Sequence, residues 1–146
     1  MNSLPEHPTA AHFLQASLQA LSLECPQAYQ AICRQLSGKQ LLVEIDGEAV
    51  GLSFSEQQAG FLPLGELQPP PRLRLSTTWQ AILDLLDARL TLQEAVLSSR
   101  LDLAGPPGEL VLLYDAMLFY LRGGVRTFAF PLLLQELRKT KQSQPG

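Results

Sequence analysis

The residues best suited to chemistry in this 146-residue chain are its two cysteines and two histidines. Cys25 and Cys33 form no CxxC pair, and neither His7 nor His12 joins a cluster with the close spacing that zinc ligands need. Eight residues of helix separate two side chains by about 12 Å, beyond the roughly 7 Å that a disulfide bridges. We therefore expect free thiols in a reducing compartment, with Cys33 packed in the core.

Three carboxylates, Glu44, Asp46 and Glu48, surround a predicted hairpin turn, where acidic side chains are usually solvated. The chain also lacks the phosphate-binding motif GxxxxGK[ST], the nucleophile elbow GxSxG and the zinc-protease motif HExxH. The sequence therefore predicts no catalytic residue, no metal and no cofactor, and a protein that is not an enzyme.

The charge distribution bears on the partners. A net charge of −3 argues against nucleic acid. The C-terminal end is nonetheless basic, since only Glu136 is acidic after residue 121. This end is either a solvated helix end and tail or a transient contact with an anionic membrane surface. Its basic residues are Arg122, Arg126, Arg138, Lys139 and Lys141.

The length predicts one domain over residues 1–146. We expect a loose arm over residues 1–8 and a disordered tail over residues 140–146. No signal peptide is recognisable at the N-terminus, and no apolar run approaches the ~18–20 residues of a membrane span. These features predict a soluble cytoplasmic protein.

Two amphipathic helices are predicted first, from a cap at Thr9 to about Leu21 and from Pro26 to Gly38. The apolar period then changes from 3.6 to 2. Alternation from Leu41 to Phe54 around Asp46-Gly47 predicts a hairpin with a type I′ turn. Phe61-Leu62 predicts a short edge strand that Pro63 ends, and the prolines at 69–71 predict an extended connection.

The stretch 72–124 predicts strand, helix, helix, strand, helix. Thr77 with Gln80 and Thr91 with Glu94 have capping-box spacing. The helix from Glu109 to Arg122, which Gly123-Gly124 is expected to end, is apolar almost all round. Such a helix needs cover on more than one side. A ligand, the segment 128–137 or another chain could supply it.

Large apolar side chains remain as the candidate site. Packed against each other they form an ordinary core, and incompletely packed they line a pocket for a small ligand or lipid. The residues proposed for such a pocket are Phe54, Phe61, Trp79, Leu83, Met117, Tyr120, Leu121, Phe128 and Phe130.

The order of the predicted elements resembles that of the sterol carrier protein family, a family of small lipid-carrier domains. The best match runs from Leu73-Arg74-Leu75-Ser76 to Arg100-Leu101-Asp102-Leu103-Ala104-Gly105, which fits the family's strand Lys/Arg-Leu-x-Leu/Ile-x-Gly. Two glycines usual in the family are replaced. Ser99 stands before that strand, and Asp87 or Ala88 stands between the two short helices.

The resemblance implies an α+β fold in which a mostly antiparallel five-stranded sheet carries helices on one face and encloses an apolar tunnel. It implies non-enzymatic binding or transfer of a hydrophobic, lipid-like molecule of fatty acyl or sterol type. Two alternatives stay open. One is a protein-interaction module, for example a homodimer through the apolar helix, and the other is an accessory domain that presents an apolar substrate to a separate enzyme.

Overall fold

The computed structural model describes residues 10–67, 73–127, 130–133 and 135. The predicted N-terminal arm, proline-rich connection and C-terminal tail fall outside this part, in whole or in large part. Within it, the helices are α1 Ala10–Glu24, α2 Pro26–Gln35, α3 Trp79–Leu86, α4 Leu92–Leu97 and α5 Pro107–Gly124. The strands are β1 Gln40–Ile45, β2 Glu48–Phe54, β3 Ala59–Leu62, β4 Leu73–Thr77 and β5 Leu101–Ala104, with a 3-10 helix at Leu64–Glu66.

The five strands form one mixed sheet in the order β3-β2-β1-β4-β5. Adjacent strands of the sheet run antiparallel, except for the pair β1 and β4, which runs parallel. The hairpin is confirmed, since Asp46 and Gly47 have φ of 49° and 88°, the positive values that a type I′ turn requires. The edge strand at Phe61-Leu62 is confirmed as part of β3.

The helices pack on one face of the sheet, as the α+β prediction requires. The burial pattern of β1 reflects this one-sided cover: Leu41, Val43 and Ile45 are buried, while the residues between them are half-buried. On the opposite face, Glu44 pairs with Arg74 at 3.5 Å in an exposed ion pair. The helix-covered face therefore holds the core and any interior site.

The start of α3 differs from the sequence prediction. Thr78, not Thr77, is the N-cap, and its hydroxyl accepts a hydrogen bond from the amide of Ala81. Thr77 faces the core and donates to the carbonyl of Arg100 at 2.9 Å, so the capping box predicted at Thr77 is wrong. The predicted capping box of Thr91 and Glu94 is confirmed at the start of α4.

The end of α5 also differs, because Gly123 and Gly124 are its last two residues and do not stop it at Arg122. A Cβ at Gly123 would lie 2.6 Å from Leu21 and 2.8 Å from the Cβ of Ala28. The glycines therefore permit close packing. Helices α1, α2 and α3 contact α5, and Phe130 packs against Gly124 and the Tyr120 ring. These elements cover part of the apolar surface of α5, while Val111 is 61% exposed.

Two residues other than glycine, just after the short helices, have strained backbone. Ala88 and Ser99 have φ of 61° and 62°, in the left-handed region that costs a residue with a Cβ roughly 1–2 kcal/mol. Ala88 follows Asp87, the C-cap of α3, and Ser99 follows Ser98, the C-cap of α4, so each stands where the chain turns away from its helix. Both short helices thus end in a left-handed turn at a residue that has a Cβ.

We expect Ala88→Gly to stabilise the protein by about 0.5–1 kcal/mol, because glycine relieves the left-handed strain but loses more entropy on folding. Chemical denaturation measures the free energy of unfolding. In the control Ala16→Gly, within α1, the same change should cost about 1 kcal/mol. Equal losses in both variants would contradict the strain at Ala88.

Candidate functional site

An apolar cavity of about 130 Å³ lies between the sheet and the helices. Its floor is the helix-covered face of the sheet, and its walls come from α1, α2, α3 and α5. The buried lining residues are Phe13, Leu18, Ile32, Leu36, Leu41, Val43, Ile45, Leu52, Phe54, Leu75, Thr77, Leu101, Leu113 and Ala116.

The remaining lining residues are half-buried, and all belong to α1, α3 or α5. The cavity therefore opens to solvent between these three helices. No strand or α2 residue of the lining is exposed in this way, so the sheet closes the inner end. The half-buried residues are Leu14, Ile82, Leu85, Leu86, Met117, Tyr120 and Leu121.

The size of the cavity limits what it can hold without rearrangement. Protein interiors contain few voids larger than a water molecule, and an apolar cavity of roughly 150 Å³ stays dry and binds benzene. A space of about 130 Å³ thus takes a ring-sized group or a short alkyl segment. A longer chain must extend through the mouth or separate the helices.

Among the described residues of the lining, Thr77 and Tyr120 carry the polar side-chain groups, and their hydroxyls contribute almost none of the cavity surface. Tyr120 donates to the Oγ of Ser17 at 2.7 Å, and Ser17 donates to the carbonyl of Leu14 at 3.1 Å. Thr77 donates to the carbonyl of Arg100. Burial raises the pKa of Tyr120 well above its ordinary value, although the Ser17 hydrogen bond acts in the opposite direction. The tyrosine is therefore neutral at ordinary pH.

A second tyrosine joins α2 to the edge strand outside the cavity. The hydroxyl of Tyr29 accepts a hydrogen bond from the backbone amide of Ala59 at 2.9 Å. Burial raises the pKa of the neighbouring Cys33 thiol, which lowers its thiolate fraction and hence its reactivity. Cys25 and Cys33 are both free. This arrangement is structural, with no feature of a nucleophile site.

Four of the proposed pocket residues line the cavity: Phe54, Met117, Tyr120 and Leu121. Trp79 is buried behind it, where its ring meets Phe13 edge to face with centroids 5.4 Å apart. Since Phe13 lines the cavity, the single tryptophan is one side chain away from any occupant.

The other proposed residues lie elsewhere. Leu83 is buried on α3 outside the lining, and Phe61 is 39% exposed on the edge strand. Phe130 packs on the Tyr120 ring at 5.7 Å and backs the cavity wall. Phe128 falls outside the described residues.

Sequence reasoning missed the largest group of lining residues, the inward side chains of the sheet. Leu41, Val43, Ile45 and Leu75 form the floor, and their alternation was the available signal. Ile32 on α2 and Leu36 directly after it also line the cavity, although the sequence predicts only an amphipathic helix there.

Other kinds of site find no support in the described part of the chain. No three His, Cys, Asp or Glu residues come together there in an arrangement that holds a metal ion. None of its helices combines the length and apolarity needed to cross a bilayer. A second, more open groove lies between β5 and α5 and includes Asp102 and Asp115.

No protein-family model matches the sequence, and no curated protein matches it. Solved structures do match. The UbiJ-SCP2 ubiquinone synthesis protein is 24% identical, with 72% of this chain and 91% of that chain covered and a TM-score of 0.51. A crystal structure of sterol carrier protein 2 is 16% identical, with 76% and 92% covered and a TM-score of 0.54.

A double mutant of the sec-alkyl sulfatase PisA1 also matches, with 15% identity and a TM-score of 0.51. There 74% of this chain aligns with only 16% of the enzyme. The same architecture thus occurs as nearly a whole protein and as a small part of a larger enzyme. At these identities the matches establish the fold, which is that of sterol carrier protein.

Proposed function

We propose that this chain, which has the sterol carrier protein fold, binds or transfers a hydrophobic, lipid-like molecule without covalent chemistry. The observation that carries the proposal is the apolar cavity that opens between α1, α3 and α5. Its position between sheet and helices matches the tunnel that the family resemblance implies. No catalytic side chain is needed for this role.

Burial of apolar surface supplies the affinity. Each methylene transferred from water into the cavity contributes about 0.8 kcal/mol, so an alkyl segment of about five methylenes contributes on the order of 4 kcal/mol. The mouth residue Met117 has an unbranched, flexible side chain that can move aside for an entering chain. Release follows the same path in reverse.

Binding is tested with N-phenyl-1-naphthylamine, a neutral fluorophore whose emission rises in apolar surroundings. We expect saturable binding and a change in Trp79 emission, since Trp79 contacts the lining residue Phe13. Native mass spectrometry of the purified protein should also show a co-purifying apolar molecule. A protein that carries no ligand and does not bind the fluorophore would refute the proposal.

A further inference from the structure

The two edges of the sheet differ in what faces them. At the β3 edge, the hydroxyl of Tyr29 accepts a hydrogen bond from the amide of Ala59, and Pro63 follows the strand directly. At the other edge, β5 pairs with β4 alone among the described residues, and no hydrogen bond from another described residue reaches its outer side. An edge strand directs alternate backbone N–H and C=O groups away from the sheet. The outer edge of β5 is therefore open to a further strand.

The groove between β5 and α5 follows this open edge. Three consecutive residues of β5 line it, Leu101, Asp102 and Leu103. Successive side chains of a strand point to opposite faces of the sheet, so a groove that touches all three runs beside the strand. Its other wall includes Leu110 and Tyr114 of α5. An extended segment in the groove would lie next to the outward backbone groups of β5.

The two sides of this groove differ in polarity. Leu103 pairs with Leu75, which lines the cavity on the helix-covered face. Asp102 pairs with Ser76, which in turn pairs with Glu44 on the opposite face. Directly paired residues of neighbouring strands point to the same side of a sheet. A strand added to β5 would thus turn alternate side chains towards the apolar wall of α5 and place the others beside the Asp102 carboxylate.

The charges of the groove favour a basic occupant. Its described lining contains Asp102 and Asp115 and no basic residue. Asp102 is exposed and forms no ion pair with another described residue, while Asp115 accepts a hydrogen bond from Gln35 at 3.4 Å. Arg100, directly before β5, is already paired with Asp84 at 2.6 Å. Opposite charges on neighbouring strands attract, so a lysine or arginine of an added strand would find its partner in Asp102.

We propose that β5 and its groove bind an extended segment of a partner protein in which apolar and basic residues alternate. The segment adds a sixth strand to the five-stranded sheet. Its apolar side chains pack against Leu110 and Tyr114, and its basic side chains lie beside Asp102. Backbone hydrogen bonds supply affinity in this kind of recognition, and the alternating side chains supply specificity. The interaction goes beyond the lipid-binding proposal and does not depend on it.

Two other occupants fit the groove less well. An antiparallel pair of β5 strands from two copies of this chain would bring Asp102 close to its equivalent, and like charges repel there. The C-terminal residues 136–146 are basic but contain a single apolar residue, Leu137. They therefore lack the alternation that the two sides of the groove require.

Three labelled peptides test the docking by fluorescence anisotropy. We expect saturable binding of fluorescein-KVKVKV-amide, which is long enough to span the four residues of β5. EVEVEV reverses the charge, and KKKVVV keeps the composition without the alternation, so each should bind at least tenfold more weakly. Failure of KVKVKV to bind, or equal affinity of the three peptides, would overturn the proposal.

N-methylation tests the backbone pairing. KVKVKV methylated at every valine amide loses the donors of one strand edge, and methylation at every lysine amide removes those of the other edge. At least one of the two peptides should bind about tenfold more weakly than the parent, because a strand pairs with β5 through one edge. If both bind like the parent, no sixth strand forms.

Two variants with matched controls locate the peptide. Asp102→Lys should weaken KVKVKV binding at least tenfold, and Glu56→Lys, the same charge change at an exposed residue outside the groove, should leave it unchanged. Leu110→Lys should also weaken it tenfold relative to Leu112→Lys, a half-buried leucine of α5 that does not line the groove. Circular dichroism verifies that each variant is folded. Wild-type affinity in both groove variants would place the peptide elsewhere and overturn the proposal.

The remaining occupants are tested on the unmodified protein. Sedimentation should show a monomer, and a peptide of residues 136–146 should compete with KVKVKV at least tenfold more weakly than unlabelled KVKVKV does. A dimer that Asp102→Lys or Leu110→Lys dissociates would assign the groove to a second copy. Equal competition by the 136–146 peptide would assign it to this chain's own C-terminal segment. Either result overturns binding of a partner protein.

Discussion

Replacing Ala116 by phenylalanine should weaken binding of N-phenyl-1-naphthylamine at least 100-fold while the protein remains folded. Ala116 is the smallest side chain of the lining and is 3% exposed on α5. The added phenyl ring has the size of benzene, which fills an apolar cavity of roughly 150 Å³. In a space of about 130 Å³ the ring leaves no room for a ligand.

The matched control is Val111→Phe, which adds a phenyl ring to the same helix at a side chain that is 61% exposed. Its affinity for the fluorophore should equal that of the wild type. Val43→Phe fills the cavity from the sheet and repeats the test from the opposite wall. Wild-type affinity in both filled variants, with thermal melts that show a folded protein, would place the ligand outside this cavity.

Gly123→Ala should destabilise the protein by about 2 kcal/mol, one of the larger effects available to a single methyl group. The new Cβ would lie 2.8 Å from the Cβ of Ala28, which is fixed to the backbone of α2, and 2.6 Å from Leu21 of α1. A Leu side chain can rotate away, but an Ala Cβ moves only if α2 itself shifts. The gain in helix propensity of up to about 1 kcal/mol offsets part of the cost.

Gly108→Ala is the control on the same helix, because a Cβ there meets no atom within 4 Å. It should be neutral or slightly stabilising, by up to about 0.5 kcal/mol. The free energies of unfolding come from urea denaturation of the three proteins. If both variants were equally stable, the close contact of α5 with α1 and α2 would be contradicted.

Helix α5 determines both the space of the cavity, near Ala116, and the tight packing of the helices, near Gly123. The cavity depends on the distance between α5 and the sheet around Ala116. The last turn of α5 lies much closer to α1 and α2, because Gly123 has no side chain there. A change at Gly123 that shifts α5 should therefore also alter the mouth, which Met117 and Leu121 help to form. We expect Gly123→Ala to change ligand affinity as well as stability.

Much of the local structure could be predicted from sequence because its causes lie within a few residues. The alternation from Leu41 to Phe54 and the Asp46-Gly47 pair determine a hairpin and its turn. The spacing of Thr91 and Glu94 determines a capping box. The order of these elements was sufficient to predict a sterol-carrier-like α+β fold, which the structure has.

The sequence prediction was wrong where a residue fits two roles equally well and only residues distant along the chain decide between them. Thr77 and Thr78 are both suitable caps, and the contact of Thr77 with Arg100 across the sheet decides between them. Gly123 and Gly124 resemble a helix terminator. Their role in close packing becomes visible only when Leu21, Ala28 and Phe130 are placed beside them.

The sequence by itself therefore determined the elements, their order and an apolar interior. The tertiary structure decided that this interior contains a cavity and which helices surround it. The physical reason is distance along the chain. Tyr120 meets Ser17 across 103 residues, and an unfilled space between a sheet and four helices is a property of their relative positions, which no local pattern encodes.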